Sequence, residues 1–204
     1  MNNTVAVIAA GGFATRLGTN KPKSLLKVSS QPLLLWLIQE IVAAGISRIL
    51  VFQNRQEWLS EYRTIVGPFS EITLIADGGV ASTFLLARRA RRVCVAERYC
   101  FFYGHAPRPA AHIKHLLSLP SVAATACRTT SRQRALRISS SGFLEPPFAI
   151  SAEALATASK AENWEEFFNV HRPSAWPVSG PGEFNFESER LRYTSYLVAS
   201  RQSR

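Results

Sequence analysis

The stretch of sequence that decides the fold is residues 4–26, TVAVIAAGGFATRLGTNKPKSLL. It begins with Val5, Val7 and Ile8 among alanines, a short apolar run of the kind that is buried on both faces of a parallel sheet. Gly11 and Gly12 then end the strand, and glycine allows backbone N–H groups to approach a ligand with no Cβ in the way. The stretch therefore predicts a buried strand followed by a loop that can hold phosphate oxygens.

Two cations follow in the same loop, Arg16 and Lys23. A guanidinium can bind two oxygens of one phosphate, and an ammonium acts as a compact point charge. The pair therefore suits a triphosphate from which pyrophosphate leaves. The alternative is a structural turn that carries two surface cations.

The loop resembles the first loop of the nucleotidyltransferase superfamily that activates sugar phosphates, which has roughly the sequence A-G-G-x-G-T-R-L followed by P-K-x-L. Here the two parts are AGGFATRL at residues 10–17 and PKSL at residues 22–25. The resemblance implies that Arg16 holds the β and γ phosphates of a nucleoside triphosphate, and that Lys23 holds the α-phosphate and the acceptor phosphate. It also implies nucleotide binding by the loop residues Ala10, Gly11, Gly12, Phe13, Ala14 and Thr15.

Composition is that of a folded chain with a sizeable core. The 204 residues are 47% hydrophobic and the mean hydropathy is +0.00, which predicts one domain over residues 1–204. We expect residues 1–110 to form a nucleotide-binding half and residues 111–204 an acceptor-binding half. No apolar run reaches the roughly 18 residues that span a bilayer, and no signal peptide precedes the first strand, so we expect a cytoplasmic protein with no membrane partner.

The net charge of +10 raises the question of nucleic acid binding. Arginines cluster at residues 88–92 and 128–137, but aromatic residues are not interleaved with them. This favours solvated arginine-rich faces over an RNA-binding module, which is kept as a third alternative for the function. The three cysteines have an odd count and no C-x-x-C spacing, which disfavours a disulfide framework or a zinc site.

Strand and helix patterns alternate through the first half of the chain. We expect helices at 32–44, 56–66 and 83–93 and strands at 48–52, 72–76 and 98–103. The second half is predicted to hold a helix at 110–119, strands at 122–128 and 136–139, a helix at 152–160 capped by Ser151, and a short helix starting at Asn163. This order predicts a doubly wound, mostly parallel α/β sheet, and the resemblance implies the Rossmann-like GT-A type.

The third strand is followed by DGGVAS at residues 77–82. In the resembled family this junction often has the sequence Q-x-G-T, where the glutamine reads the base and the helix N-terminus faces the phosphates. The resemblance therefore implies nucleotide binding by Asp77, Gly79 and Ser82. A carboxylate only accepts hydrogen bonds, so Asp77 would suit guanine or cytosine better than uracil. The alternative is a turn aspartate before two glycines.

The fourth strand ends in YGHAP at residues 103–107. This resembles the Y-G-D-x-P-L of N-acetylglucosamine-1-phosphate uridylyltransferases and of molybdopterin and isoprenoid cytidylyltransferases, in which the aspartate holds the catalytic Mg²⁺. Here that position is His105, and Asn185 matches a second metal ligand in the closing segment of the family. Four alternatives remain. Mg²⁺ could be held by the substrate phosphates, water and Asn185 alone, or Mn²⁺ or Co²⁺, which accept imidazole ligands, could replace Mg²⁺. A protonated His105 could supply the positive charge of the missing metal, or the protein could bind nucleotide without turning it over.

Two further positions bear on the acceptor and on metal binding. Glu145 lies where relatives carry a glutamate that contacts sugar hydroxyls, so the resemblance implies acceptor binding there. His112 and His115 lie three residues apart in a predicted helix, where packed or exposed histidines are favoured over a metal pair. Taken together, the resemblance implies transfer of a nucleoside monophosphate from a nucleoside triphosphate to a phosphorylated small molecule. The second alternative is a catalytically impaired nucleotide-binding or regulatory homologue.

Overall fold

The structure is a computed structural model that describes residues 3–15, 18–76, 83–127, 136–139, 142–157 and 161–177. The strands are β1 Thr4–Ala9, β2 Lys27–Val28, β3 Gln31–Pro32, β4 Arg48–Gln53, β5 Ile72–Ala76, β6 Arg98–Tyr103, β7 Val122–Cys127, β8 Leu136–Ser139, β9 Gly142–Ser151 and β10 Ser174–Pro177. The helices are α1 Leu33–Ala43, α2 Leu59–Val66, α3 Thr83–Val93, α4 Ala110–Ser118, α5 Ala152–Thr157 and α6 Trp164–Val170, with 3-10 turns at Lys23–Leu25 and Gln56–Trp58.

One sheet contains all the described strands except β2 and β3, which form a small antiparallel ladder. The strand order of the sheet is β10-β7-β9-β6-β1-β4-β5, and β8 pairs with β9. The pairs that β1 makes with β4 and β6 are parallel, as are β4 with β5 and β10 with β7. Among these strands β9 runs against the rest, because its pairs with β6, β7 and β8 are antiparallel. The predicted mostly parallel, doubly wound sheet is confirmed.

Strand β1 lies in the middle of the sheet because its side chains are apolar on both faces. Val5 and Val7 pack in a cluster with residues of α3, α5 and α6. Ala6 and Ile8 point to the other face, in a cluster with residues of α1, α2 and α4. Successive side chains of a strand alternate between faces, so one short apolar run contributes to two separate cores.

Helix α6 covers its face of the sheet mainly through Trp164. The centroid of its ring lies 5.0 Å from Phe84 of α3, 5.1 Å from Phe101 of β6 and 4.9 Å from Phe148 of β9. Asn163 caps this helix, since its Oδ1 accepts from the Glu166 backbone N–H at 2.9 Å. The predicted short helix at this point is confirmed.

The predicted elements of the first half largely match the structure, and the differences have local causes. The predicted second helix starts as a 3-10 turn and becomes α-helical only at Leu59. Helix α1 ends before Gly45, which has a left-handed φ of 91° and so stops the helix as expected. The predicted Ser151 cap is confirmed, because the Ala154 backbone N–H donates to its Oγ at 3.1 Å.

Strand β9 was not predicted, because its sequence contains Pro146 and Pro147, and proline cannot donate to a sheet ladder. The structure accommodates both prolines in a bulge. In the β7 pairing, Ala124 lies opposite Phe148 while the next residue, Thr125, lies opposite Glu145, so the two prolines are skipped by the ladder.

The helices of the described residues are all too short or too polar to cross a membrane.

Candidate nucleotide site

The carboxyl ends of three parallel strands meet at one edge of the sheet. Ala9, the last residue of β1, lies opposite Phe52 of β4 on one side and opposite Tyr103 of β6 on the other. The loops that begin at Ala10, Asn54 and Gly104 therefore lie side by side. In open α/β sheets this edge is where ligands bind.

The glycine loop, which we define as residues 10–23, folds back on itself like a narrow hairpin. Its first residue is fixed to the sheet, since the Ala10 backbone N–H donates to the carbonyl of Phe52 at 2.8 Å. Two backbone hydrogen bonds then cross the loop. The Ala14 N–H donates to the carbonyl of Lys21 at 3.1 Å, and the Lys23 N–H donates to the carbonyl of Gly12 at 2.8 Å. The loop thus has a defined backbone shape among its described residues.

Gly11 lies close to the neighbouring loop, the one that follows β4. A Cβ at this position would overlap Oδ1 of Asn54, the exposed residue that follows β4. By contrast, a Cβ at Gly12 would meet no atom within 4 Å. Asn54 thus lies directly against the glycine loop, and sequence reasoning missed it. The signal was a polar residue just past the carboxyl end of an apolar strand.

Two cations that were not predicted lie in or beside this loop, Lys21 and Arg55. The Arg55 guanidinium carbon lies 4.4 Å from the centroid of the Phe13 ring, a cation–π contact between the loop after β4 and the glycine loop. The ammonium of Lys21 lies 3.0 Å from a carboxylate oxygen of Glu61 and 5.4 Å from the centroid of the Trp58 ring. Arg55 is exposed, so its charge is available at the mouth of the site.

Lys23, predicted to hold phosphate, lies in the 3-10 turn and is only 2% exposed. Its ammonium is therefore enclosed by protein, and its role in phosphate binding stays a prediction. Thr15 is exposed. The remaining predicted nucleotide and metal residues lie outside the described residues; they are Arg16, Asp77, Gly79, Ser82 and Asn185.

His105 follows β6 in a tight turn and is 5% exposed. Its ring stacks on that of Tyr103, with centroids 5.7 Å apart and planes 8° from parallel. Among the described residues no group of three or more His, Cys, Asp or Glu side chains could hold a metal ion. Mg²⁺ prefers carboxylate and other oxygen ligands, and His105 offers a ring nitrogen. The described residues therefore do not fit a magnesium site.

His112 is a packed core histidine, as favoured from the sequence. Its Nε2 lies 2.9 Å from Thr125 Oγ1, and that hydroxyl donates to the Pro147 carbonyl at 3.3 Å. The hydroxyl has one hydrogen, so the tautomer in which Nε2 carries the hydrogen satisfies both contacts of Thr125 at once. Burial, with smaller contributions from the charges of Arg108 and His115, lowers the pKa of His112 from 6.5 to about 4.

A cleft opens beside the ends of β1 and β6, on the face covered by α3 and α6. It is small, with a cavity volume of about 10 Å³, which is roughly the space of one water molecule, and its walls are mostly apolar. Ala9, Tyr103, Pro146 and Trp164 contribute to its lining. Glu145, the predicted acceptor residue, lies in β9 one position before Pro146, and its side chain lies outside the described residues. The second half of the chain thus reaches the edge that carries the glycine loop.

The model of the MobA-like NTP transferase domain matches residues 6–169. The chain belongs to this family. The match contains every strand from β4 to β9 and the whole glycine loop, so the predicted nucleotidyltransferase superfamily is confirmed.

Curated relatives of this MobA-like chain include two cytidylyltransferases. The 2-C-methyl-D-erythritol 4-phosphate cytidylyltransferase of Leptospira borgpetersenii is 27% identical over 111 residues, which are 54% of this chain and 47% of the relative. The enzyme of the same name from Bifidobacterium longum is 35% identical over 78 residues, 37% of this chain and 26% of the relative. The chain therefore matches about half the length of these relatives or less.

Solved structures of similar fold cover nearly the whole chain. A nucleotidyl transferase from Methanothermobacter thermautotroptrophicus superposes with a TM-score of 0.72 at 17% identity, over 98% of this chain and 100% of the other. A 4-diphosphocytidyl-2C-methyl-D-erythritol synthase from Anaerococcus prevotii gives a TM-score of 0.70 at 12% identity, over 97% and 96% of the two chains. At this identity the likeness shows the fold.

Proposed function

We propose that this MobA-like chain is a nucleotidyltransferase that binds a nucleoside triphosphate at the glycine loop and transfers its nucleoside monophosphate to a phosphorylated small molecule. The observation that supports this most is the position of the loop. It lies where the carboxyl ends of β1, β4 and β6 meet, with Gly11 against Asn54 and with backbone bonds fixing its shape.

The proposed reaction needs positioning and charge rather than covalent chemistry from the protein. An oxygen of the acceptor phosphate attacks the α-phosphorus, the bond from that phosphorus to the oxygen bridging to the β-phosphorus breaks, and pyrophosphate leaves with the electron pair. Backbone N–H groups of the glycine loop and the charges of Arg16 and Lys23 would stabilise the phosphate oxygens. Arg55, which the sequence did not single out, adds a cation beside the same loop.

The acceptor is proposed to bind between the two halves of the chain, residues 1–110 and residues 111–204. The pairing of β9 with β6 supports this, because it brings Pro146 of the second half beside Tyr103 of the first half, at the edge that carries the glycine loop. The curated relatives are named for action on a sugar-alcohol phosphate, which makes that class of acceptor the first to test. Sugar phosphates are the second class, and GTP or CTP is the expected nucleotide if Asp77 reads the base. A cytoplasmic location stays a prediction.

A second candidate function is nucleotide binding without turnover. It is favoured by His105, which stands packed against Tyr103 where the resemblance implies a metal aspartate. A divalent ion, Mg²⁺ or else Mn²⁺ or Co²⁺, takes part in the proposed transfer only if residues outside the described ranges complete its binding site.

The two candidates are separated by measuring binding and turnover on the same protein. Calorimetry with each nucleoside triphosphate should show binding by the wild type and a loss of about tenfold or more in Arg16→Ala and Lys23→Ala, since charge-assisted hydrogen bonds contribute about 1.5–3 kcal/mol. Pyrophosphate release with a panel of phosphorylated acceptors and each metal then tests transfer. Binding with no release in any combination would favour the second candidate, and unchanged affinity in both variants would remove the loop as the nucleotide site.

A further inference from the structure

Three buried oxygens form a compact cluster beneath the glycine loop. The carbonyl oxygen of Ala10 accepts from Tyr62 Oη at 2.6 Å and from Ser24 Oγ at 2.8 Å, and the two hydroxyl oxygens are 2.7 Å apart. Ser24 and Tyr62 are fully buried and Ala10 is 1% exposed. A carbonyl oxygen has two lone pairs, so both hydroxyls can donate to it.

The cluster joins segments that are far apart in the sequence. Ala10 begins the glycine loop, Ser24 follows its last residue, and Tyr62 belongs to α2, which packs beside β4 and β5. The Ala10 backbone N–H is also bonded, to the carbonyl of Phe52. Both ends of the glycine loop are therefore held at one buried point.

The turn that carries His105 is pressed against the same point. A Cβ at Gly104 would lie 3.1 Å from Ala10 Cα and 3.1 Å from Ser24 Cβ. The Gly104 backbone N–H donates to the carbonyl of Ala9 at 2.9 Å. The turn after β6 thus packs closely against two of the residues that form the cluster.

We propose that Tyr62 is a positioning residue for the nucleotide: its hydroxyl, with that of Ser24, holds the two ends of the glycine loop together through the Ala10 carbonyl. This deepens the proposed function and rests on it. Tyr62 does not reach the surface, so it acts through the loop backbone and touches no substrate.

The tyrosine suits this role because its proton stays in place. Burial raises the pKa of Tyr62 well above that of an ordinary phenol; the Ser24 hydrogen bond opposes this shift and the charge of Glu61 adds a little to it. The hydroxyl therefore stays protonated, and remains a donor, at neutral and moderately alkaline pH.

The test compares Tyr62→Phe with Tyr99→Phe, a matched loss of a buried hydroxyl. Tyr99 is 1% exposed, and its hydroxyl donates to the carbonyl of Cys94 at 2.8 Å and accepts from the Ala96 N–H at 3.3 Å. It lies near the amino end of β6, opposite Val5, away from the loop. Both variants are measured by urea unfolding, by amide hydrogen exchange and by nucleotide calorimetry, together with Ser24→Ala and the double variant Tyr62→Phe/Ser24→Ala.

We expect both tyrosine variants to lose similar stability, and only Tyr62→Phe to loosen the loop. Exchange of the Lys23 and Ala14 amides, which carry the cross-loop bonds, should speed up by about tenfold in Tyr62→Phe, and nucleotide affinity should fall by a similar factor, as for the loss of one buried hydrogen bond. The double variant leaves the buried Ala10 carbonyl without either hydroxyl, so its effect should exceed the product of the single effects.

Equal exchange at these amides in Tyr62→Phe and wild type would overturn the proposal. So would equal acceleration in Tyr62→Phe and Tyr99→Phe, which would mean a role in stability alone. If Tyr62→Phe does not fold, the same comparison is made with Ser24→Ala, whose unchanged loop exchange would equally refute the proposal. If wild type binds no nucleoside triphosphate, the proposed function fails, and the exchange measurements still decide whether the cluster holds the loop.

Discussion

Replacing Gly104 with alanine tests how tightly the turn after β6 is pressed against the glycine loop. The new Cβ would lie 3.1 Å from Ala10 Cα, 3.1 Å from Ser24 Cβ and 3.2 Å from Ala10 Cβ. Carbon atoms in good contact are about 3.5–4.0 Å apart, so something must move by a few tenths of an ångström. Ala10 cannot yield easily, because its N–H is bonded to Phe52 and its carbonyl to Tyr62 and Ser24.

Gly12→Ala is the matched control for this substitution. Its Cβ would meet nothing within 4 Å, and neither Gly104 nor Gly12 has a φ in the left-handed region. Each Gly→Ala change lowers the conformational entropy of the unfolded chain, which stabilises the protein by about 0.4–1 kcal/mol. This contribution is the same in both variants and cancels when they are compared. Overpacking costs about 1–3 kcal/mol, so Gly104→Ala should be less stable than Gly12→Ala by about that amount.

Urea unfolding followed by tryptophan fluorescence measures this difference by linear extrapolation. In a chain of this size, about 1–3 kcal/mol corresponds to a shift of several degrees in the melting temperature, so calorimetry provides a second reading. Unfolding midpoints that agree between the two variants would refute the reasoning. They would mean that the contact between Gly104 and Ala10 is not maintained in solution.

Three further outcomes are expected. If Asp77 reads the base, GTP or CTP should bind about tenfold better than UTP, and Asp77→Ala should abolish the ranking in calorimetry. His105→Asp buries a carboxylate, so its melting temperature should fall without metal and recover in Mg²⁺ more than that of wild type, with pyrophosphate release rising if transfer is the function. Because the folded pKa of His112 is lowered from 6.5 to about 4, the unfolded chain binds the proton first. Stability should therefore be complete above about pH 6.5 and fall by up to roughly 3 kcal/mol as the pH drops towards 4, a loss that His112→Gln should reduce in urea unfolding.

The first half of the fold could be predicted because each of its elements carries its own signal. Strands buried on both faces are continuous apolar runs, as in β1, and the intervening helices end at glycines such as Gly45. Helix α3 and strands β5 and β6 have the predicted bounds for this reason. Strand β9 has no such signal, because its prolines are tolerated only through the bulge that its partner β7 provides.

The candidate site, too, could be predicted from the sequence only in part. The glycine loop could be predicted because its motif is contiguous in the sequence. Asn54 and Tyr62 could not, because their contacts with the loop come from residues 43 and 52 positions away, on elements whose placement depends on the whole sheet. The burial of Lys23 was also beyond prediction, since a lysine between Pro22 and Ser24 in a polar loop is ordinarily exposed.

His105 shows why a departure from a family motif must be interpreted together with its surroundings. From the sequence, His105 only replaces an expected aspartate. In the structure its imidazole packs face to face with Tyr103, in a turn held at Gly104 by the cluster that also holds the glycine loop. An aspartate has no ring face to offer Tyr103, and its charge would be buried at 5% exposure unless a cation lay beside it. The stability of His105→Asp without metal therefore reports whether the site supplies such a cation itself. A variant that keeps the wild-type melting temperature would mean that a neighbouring cation already compensates the carboxylate, and that the site can hold an anion at this position.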